Sequence, residues 1–244
     1  MFERLHHQRI HKLLASLNTQ FLAQCECYFG GGTAIVLNLN EYRESVDVDF
    51  LCASVAGYRQ LRNTIHDKSL GDIFTGPVSL ARDVRADRYG IRTFVTVDDT
   101  PIKFEIVSEG RIQVEGAPDP RTGVATLSRT DMFAEKLLAN ADRWNEKSVT
   151  SRDIIDLAMM LDGWGSIPAR AWEKVYEAYG ASAQVAYLKA TALVSDPAHL
   201  AQCLAKMHMD PSLVDRIPAL LKATEFPTLL VSDQEQQPDT SPGP

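Results

Sequence analysis

The sequence predicts an α+β fold in two lobes: a small mixed sheet flanked by helices, then a lobe made of helices alone. Three observations predict it. Short segments of alternating apolar and polar residues, at 45–51, 91–97 and 102–107, are bounded by Gly, Asn, Asp and Pro and read as strands. Beyond residue 124, apolar residues recur at three- and four-residue spacing, the period of helices that bury one face. Between these halves, 110–123 is rich in Gly, Pro and charge and reads as a link. The expected division is a first domain at 1–115, a helical domain at 124–228 and a disordered tail at 229–244, where QEQQPDTSPGP is too polar and proline-rich to pack.

Of the 244 residues, 45% are hydrophobic and 23% charged, the balance of a globular chain able to bury a core. A net charge of -7 argues against a uniformly basic nucleic-acid binder, because backbone binding relies on Lys and Arg. It leaves room for a local basic groove, or for a nucleotide held through metal ions. Cys25, Cys27, Cys52 and Cys203 have neither finger-like nor disulfide-framework spacing, and read as reduced, mostly buried small hydrophobes. The charged start MFERLHHQR lacks a signal-peptide apolar core, and no apolar run reaches about 18 residues, so a cytoplasmic protein with no membrane partner is expected.

In chain order, Leu5, Ile10, Leu13, Leu14, Leu17 and Phe21 form one apolar stripe and predict a helix over 2–24, with His6, His7 and His11 at a solvated helix end. Residues 27–29 predict a short strand. Gly30, Gly31 and Gly32 permit a tight turn with open amides, and Thr33 caps or enters a helix to 39. The strand at 45–51 puts Asp47 and Asp49 on one face, and Val46, Val48 and Phe50 on the other. Helices are expected at 55–67 and 79–88, with a loop at 71–77. Arg82, Arg85, Arg88 and Arg92 make the densest basic run in the chain. They either line a solvated face balanced by Asp83 and Asp87 or meet phosphates, which suit guanidinium forks.

Asp98 to Pro101 turn a hairpin between the strands at 91–97 and 102–107. In the second strand Lys103, Glu105 and Val107 share a face. A charge amid apolar neighbours needs a partner, so Glu105 is either a third cation ligand or a carboxylate on a solvated edge. Further helices are expected at 131–143, 151–161, 169–178, 181–193, 197–207 and 211–223. Thr130 would cap the first of these, which places Lys136, Asn140 and Arg143 on a polar face; Arg152, Asp153 and Asp156 are the polar residues of the second. Trp144, Trp164 and Trp172 read as packing residues.

Glycines that bring backbone amides close to a ligand, followed by two carboxylates on one strand face, suggest phosphate and a divalent metal. Two Mg2+ ions about 3.5–4 Å apart could neutralise a triphosphate, align a nucleophile and support the leaving pyrophosphate, and Mg2+ prefers carboxylate and phosphate oxygens. Asp47, Asp49 and Glu105 are the candidate ligands, and Lys136 could neutralise leaving phosphate charge. A lone D-x-D is a weak signal, and the glycine run matches neither the dinucleotide fingerprint nor the P-loop. The ordered pair, GG[ST] with a D-x-D strand roughly fourteen residues later, is far more specific.

On these residues the chain resembles the AbiEii/AbiGii toxin family of nucleotidyltransferases, in the DNA polymerase beta-like superfamily. GGTAI at 31–35 and RESVDVDF at 43–50 match its first two motifs, and IKFEIV at 102–107 its third acidic strand, with Glu where many members carry Asp. Lys136, Leu137, Ala139, Arg143, Arg152, Asp153, Asp156 and Leu157 match its later signature, so the resemblance spans about 25–160. It implies catalytic roles for Asp47, Asp49, Glu105, Lys136 and Asp153, metal ligation by the first three, and nucleotide binding by Gly31, Gly32, Thr33, Arg43, Ser45 and Lys136. It also implies an NTP substrate with two Mg2+ ions, transfer to an acceptor such as the 3′ end of tRNA, and a cognate antitoxin as partner. Two other readings share the first lobe: a nucleotidyltransferase acting on a small molecule or protein, and a non-catalytic interaction protein.

Overall fold

Phe29, Phe50 and Phe104 come from three neighbouring strands and stack on one face of a sheet, with ring centroids 5.5 and 5.9 Å apart; Phe74 continues the row at 5.6 Å. The N-terminal lobe is built on this aromatic row. The computed structural model describes residues 2–228; the tail expected at 229–244 lies outside the described residues.

The apolar stripe over 2–24 forms two helices rather than the single one predicted, α1 (Leu5–Ala15) and α2 (Thr19–Gln24). The Ser16 hydroxyl donates to the Leu13 carbonyl as α1 ends, and the Asn18 side chain accepts the Phe21 amide to start α2. Leu17 between them bridges to Phe74, so Ile10, Leu13, Leu14 and Leu17 of the stripe stay buried although the helix breaks, while Leu5 at its start is exposed. β1 (Cys27–Gly30) leads into α3 (Gly31–Asn38), then β2 (Asp47–Cys52) and α4 (Val55–Asn63), the last capped by Ser54. Val48 and Phe50 are buried as expected, while Val46, just before β2, is exposed.

The region predicted as a helix at 79–88 is a strand, β3 (Leu80–Ala86), paired antiparallel with β4 (Gly90–Val97). The cause of the misreading is visible in the register. Irregularities between Leu80 and Arg82 and between Arg82 and Arg85 shift the pairing, so arginines three apart fall on one face of a strand as they would on a helix. β4 turns through Asp98 and Asp99, both at positive φ as a two-residue hairpin requires, into β5 (Thr100–Ser108). The predicted link at 110–123 is also partly sheet: β6 (Gly116–Pro118) pairs with β7 (Ala125–Leu127), and β7 lies parallel to β1. The sheet order is β3-β4-β5-β2-β1-β7-β6, parallel at β2/β5 and β1/β7 and antiparallel elsewhere.

The C-terminal lobe is helical as predicted: α5 (Arg129–Arg143), α6 (Arg152–Trp164), α7 (Ala169–Tyr179), α8 (Ser182–Val194), α9 (Pro197–Lys206) and α10 (Leu213–Lys222). Ser128, not Thr130, caps α5 by accepting the Asp131 amide. Trp164 packs on Phe133, and Trp172 on Tyr187 and Phe226. The four cysteines are free and buried. Among the described residues no helix is long and apolar enough to cross a membrane.

One buried ion pair ties the segment entering β2 to α6. The Arg43 guanidinium, 2% exposed, donates Nε and Nη2 to the two carboxylate oxygens of fully buried Asp156, at 2.7 and 2.8 Å. Burial alone would raise the Asp156 carboxyl; Arg43 and then Lys136 outweigh it and hold the group well below the usual carboxylate range. Its contribution to stability is therefore complete above an unfolded-state pKa of about 4 and is lost as pH falls below it. Asp156→Ala is expected to lower the unfolding free energy by about 3–5 kcal/mol at pH 7 in urea titrations, because it strands a buried guanidinium. The deficit should narrow as pH falls below about 4. A loss under about 1 kcal/mol would contradict this role.

Candidate active site

A cavity of about 250 Å3 opens where the start of α3, the strands β2 and β5, and the helices α5 and α6 meet. Its floor is set by sterics at two glycines. Gly31 lies at φ 67°, in the left-handed region, and a Cβ there would sit 2.7 Å from an oxygen of Asp49. A Cβ on Gly32 would meet the Arg43 guanidinium at 2.5 Å. The glycines thus let the α3 backbone lie directly against a carboxylate and a buried cation.

Thr33 is inside α3 rather than at its cap; the cap position is Gly30. The Thr33 hydroxyl meets Ser45 Oγ at 2.8 Å and donates to the Asp47 carbonyl, which fixes the start of β2. The Ser45 amide donates to His7 Nε2 at 3.0 Å, and His7 Nδ1 then donates to Glu41 at 2.6 Å. His7 is fully buried, in contrast to the solvated helix end expected for it, and burial pushes its pKa down. A neutral ring that accepts from Ser45 and donates to Glu41 is the form this geometry needs.

β2 carries Asp47 and Asp49 on the face opposite the aromatic row, and both line the cavity. Asp49 is in register with Glu105 of β5, and Asp47 with Lys103. Neither aspartate carboxylate is engaged by a side chain among the described residues. Burial, offset in part by Lys103 and reinforced by Asp47 and Glu105, pushes the Asp49 carboxyl up to about 6. Glu105 differs: Arg92 donates to one oxygen and Lys103 to the other, each at 2.6 Å. Despite its burial it is held below its ordinary value by Lys103 and Arg92.

The opposite wall is cationic. Lys136 of α5, 5% exposed, reaches Asp153 at 3.0 Å and Asp156 at 3.1 Å. Arg143, one α-helical face further on, grips both oxygens of Asp153 at 2.7 and 3.0 Å. Lys136, Arg143 and Arg152 line the cavity, whereas Asp153 stands behind the first two and orients them. Arg43, Lys136 and Arg143 face two carboxylates, Asp153 and Asp156, which leaves one positive charge over.

The structure therefore brings Gly31, Gly32, Thr33, Arg43, Ser45, Asp47, Asp49, Glu105 and Lys136 to one cavity, with Asp153 behind it. Among the described residues no three carboxylate, imidazole or thiolate groups stand close enough to hold a metal on their own. Two open, unpaired aspartates on adjacent same-face positions nonetheless form a hard oxygen pair of the kind Mg2+ accepts when phosphate and water supply the remaining ligands. Sequence reasoning missed the cations on Glu105, the buried support from His7, and Arg111, which lines the cavity and holds Glu109 and Glu135 at 2.6 and 2.8 Å. Only the strand face shared by Lys103 and Glu105 signalled the first; His7 meets Glu41 and Ser45, and Arg111 meets Glu135, across segments far apart in the chain.

Because the folded pKa of Asp49 is raised, ionising it opposes folding: the protonated form is favoured below about pH 4 and that advantage is lost as pH rises through about 6. In metal-free buffer at pH 7.5, Asp49→Asn is expected to be more stable than wild type by about 1–2 kcal/mol, with the gap closing near pH 4. A variant less stable than wild type at pH 7.5 would contradict this.

The family described as "Nucleotidyl transferase AbiEii toxin, Type IV TA system" matches residues 12–229. The fold is similar to two crystal structures from Helicobacter pylori. One, a candidate nucleotidyltransferase, is 15% identical over 88% of this chain and 93% of its own, with a TM-score of 0.50. The other, JHP933, is 16% identical over 91% and 92%, also at 0.50. None of the curated proteins compared matches the chain. With most of its length matched, the chain belongs to the nucleotidyl transferase AbiEii toxin family.

Proposed function

We propose that the chain transfers a nucleoside monophosphate from an NTP to an acceptor hydroxyl, with the 3′ end of tRNA as acceptor and Mg2+ as cofactor, and that it acts as the toxin partner of a cognate antitoxin. The observation that carries the reading is the pairing of opposite charges across one cavity: open Asp47 and Asp49 on β2 face Lys136, Arg143 and Arg152 on the helical wall. Family membership supports enzymatic nucleotidyl transfer in general.

In the proposed reaction the acceptor hydroxyl gives up its proton to solvent as its oxygen bonds to the α-phosphorus and the bond from that phosphorus to the β-phosphate oxygen breaks, releasing pyrophosphate. Asp47 and Asp49 would hold Mg2+, and Glu105, clamped by Arg92 and Lys103, would shape the field beside them. When bound, the metal would neutralise phosphate charge and align the reacting oxygens. Lys136 and Arg143 would stabilise the leaving pyrophosphate, and their ion pairs with Asp153 support that role by holding both at the cavity. Gly31 and Gly32 allow the start of α3 to approach the phosphates, where backbone amides and the helix dipole favour anions. Arg43 and Ser45 would serve the nucleotide indirectly, since both are buried and bonded within the protein.

Incubation with labelled NTPs, total RNA and Mg2+ should place label in tRNA-sized RNA. Asp49→Asn and Lys136→Ala should each reduce transfer by about 100-fold or more. Label in a protein or a small molecule instead would replace the acceptor, and undiminished transfer by Asp49→Asn would refute the catalytic assignment. Millimolar Mg2+ should raise the melting temperature of wild type but not of Asp49→Asn; equal shifts would place the metal elsewhere.

A further inference from the structure

The arginine run that the sequence singles out continues the cavity's own sheet face. Cross-strand partners share a face, and the register links Asp49 to Glu105, Glu105 to Arg92, and Arg92 to Arg85. A second row links Asp47 to Lys103, Lys103 to Phe94, and Phe94 to Arg82. From the two aspartates the face therefore runs across β5 and β4 to the edge strand β3, a span of about 14 Å at ordinary strand spacing. Its chemistry changes along the way. Glu105 is neutralised by Arg92 and Lys103, Phe94 is half-buried with the Arg82 guanidinium 5.2 Å from its ring centre, and Arg82 and Arg85 are exposed.

Of the four arginines in the run, Arg92 alone is in an ion pair among the described residues, with Glu105 and Asp87. Arg88 lies over Tyr89, whose hydroxyl also meets it. The acids nearby are Asp87, which Arg92 engages, and exposed Asp83. In a chain of net charge -7, two unpaired arginines beside an aromatic ring on an open face need a reason. On the other side of β2 the same face is closed by α3, whose first residue lies against Asp49. A strand whose end must reach the aspartates has its open approach over β5, β4 and β3.

We propose that this face, with Arg82 and Arg85 at its edge and Phe94 between them and the aspartates, binds the sugar-phosphate backbone and bases of the acceptor RNA's single-stranded 3′ end. Guanidinium groups suit phosphate oxygens, and an arginine stacked on an aromatic ring offers a flat surface to a base. The assignment rests on the transfer reading for its direction, since it names where the acceptor lies. Its test is binding, which needs no transfer.

The experiment measures the affinity of fluorescent deacylated tRNA for the full chain, without NTP, across a salt series. The double variant Arg82→Glu/Arg85→Glu should weaken binding by about 10-fold or more, and the dependence of log affinity on log salt should flatten by about 1.4 for two lost phosphate contacts on a single strand. The variant Arg82→Lys/Arg85→Lys, which keeps the charge, should recover most of the affinity. In the transfer assay the charge reversal should raise KM for tRNA more than KM for NTP. Unchanged affinity and salt slope, with melting curves showing both variants folded, would overturn the proposal. So would wild type failing to bind tRNA, or binding polyglutamate through these arginines more tightly than tRNA, which would assign the face to an acidic protein partner. If tRNA binding falls as expected but no RNA is ever labelled, the face stands and the transfer reading fails.

Discussion

Asp156 is the residue on which the arrangement depends. Its carboxylate is fully buried; it accepts hydrogen bonds from the Arg43 guanidinium and the Tyr42 hydroxyl at 2.6–2.8 Å and is ion-paired with Lys136 at 3.1 Å. A carboxylate in that environment persists because both oxygens are hydrogen-bonded and two cations offset its charge, and removing a cation leaves an uncompensated charge in the interior. Arg43 lies just before β2 and Asp156 on α6, so one buried group sets the β2 carboxylates against the helical wall. It also limits where Lys136 can go, since that ammonium is shared between Asp156 and Asp153.

The two walls of the cavity are held in opposite electrostatic states. On the sheet side, neither Asp47 nor Asp49 has a side-chain partner among the described residues, and burial, reinforced by Asp47 and Glu105, makes Asp49 resist ionisation. On the helical side, the buried carboxylates Asp153 and Asp156 hold Lys136 and Arg143 of α5 together with Arg43 from the segment before β2, three cations against two acids. Unpaired acids on one wall and surplus cations on the other are what a site that gives up stability for function is expected to show. Gly31 and Gly32 make that apposition possible, because any side chain there would collide with Asp49 or Arg43.

Much of this was legible in the sequence, and the reasons for the rest are physical. The strand alternation around Asp47 and Asp49 and the helical periods after residue 124 reflect burial on one face, which a local pattern records. The glycine run was legible as a close approach, but its second function, making room for Arg43, depends on a contact across the fold. β3 was misread because bulges gave its arginines a helical spacing. The helix at 2–24 was misread because Leu17 kept the apolar stripe going through a break. Residues 110–123 were read as a link because glycine and proline mask a three-residue strand, β6, that pairs only with β7, which itself joins the sheet through β1 far back in the chain. His7 looked solvated because its partners, Glu41 and Ser45, are more than thirty residues away.

The central claim is that Asp156 positions Lys136 for the polyphosphate, so that the fold's buried ion network and its nucleotide affinity are one thing. A double-mutant cycle on the Kd of a non-hydrolysable NTP tests this most directly, using wild type, Lys136→Ala, Asp156→Asn and the double variant, each checked for folding. The account predicts that each single variant weakens binding by about 10-fold or more and that the double variant is little worse than either, the non-additivity of groups acting as a unit. Asp156→Asn binding the nucleotide as tightly as wild type, or effects of the two substitutions that simply add, would contradict it.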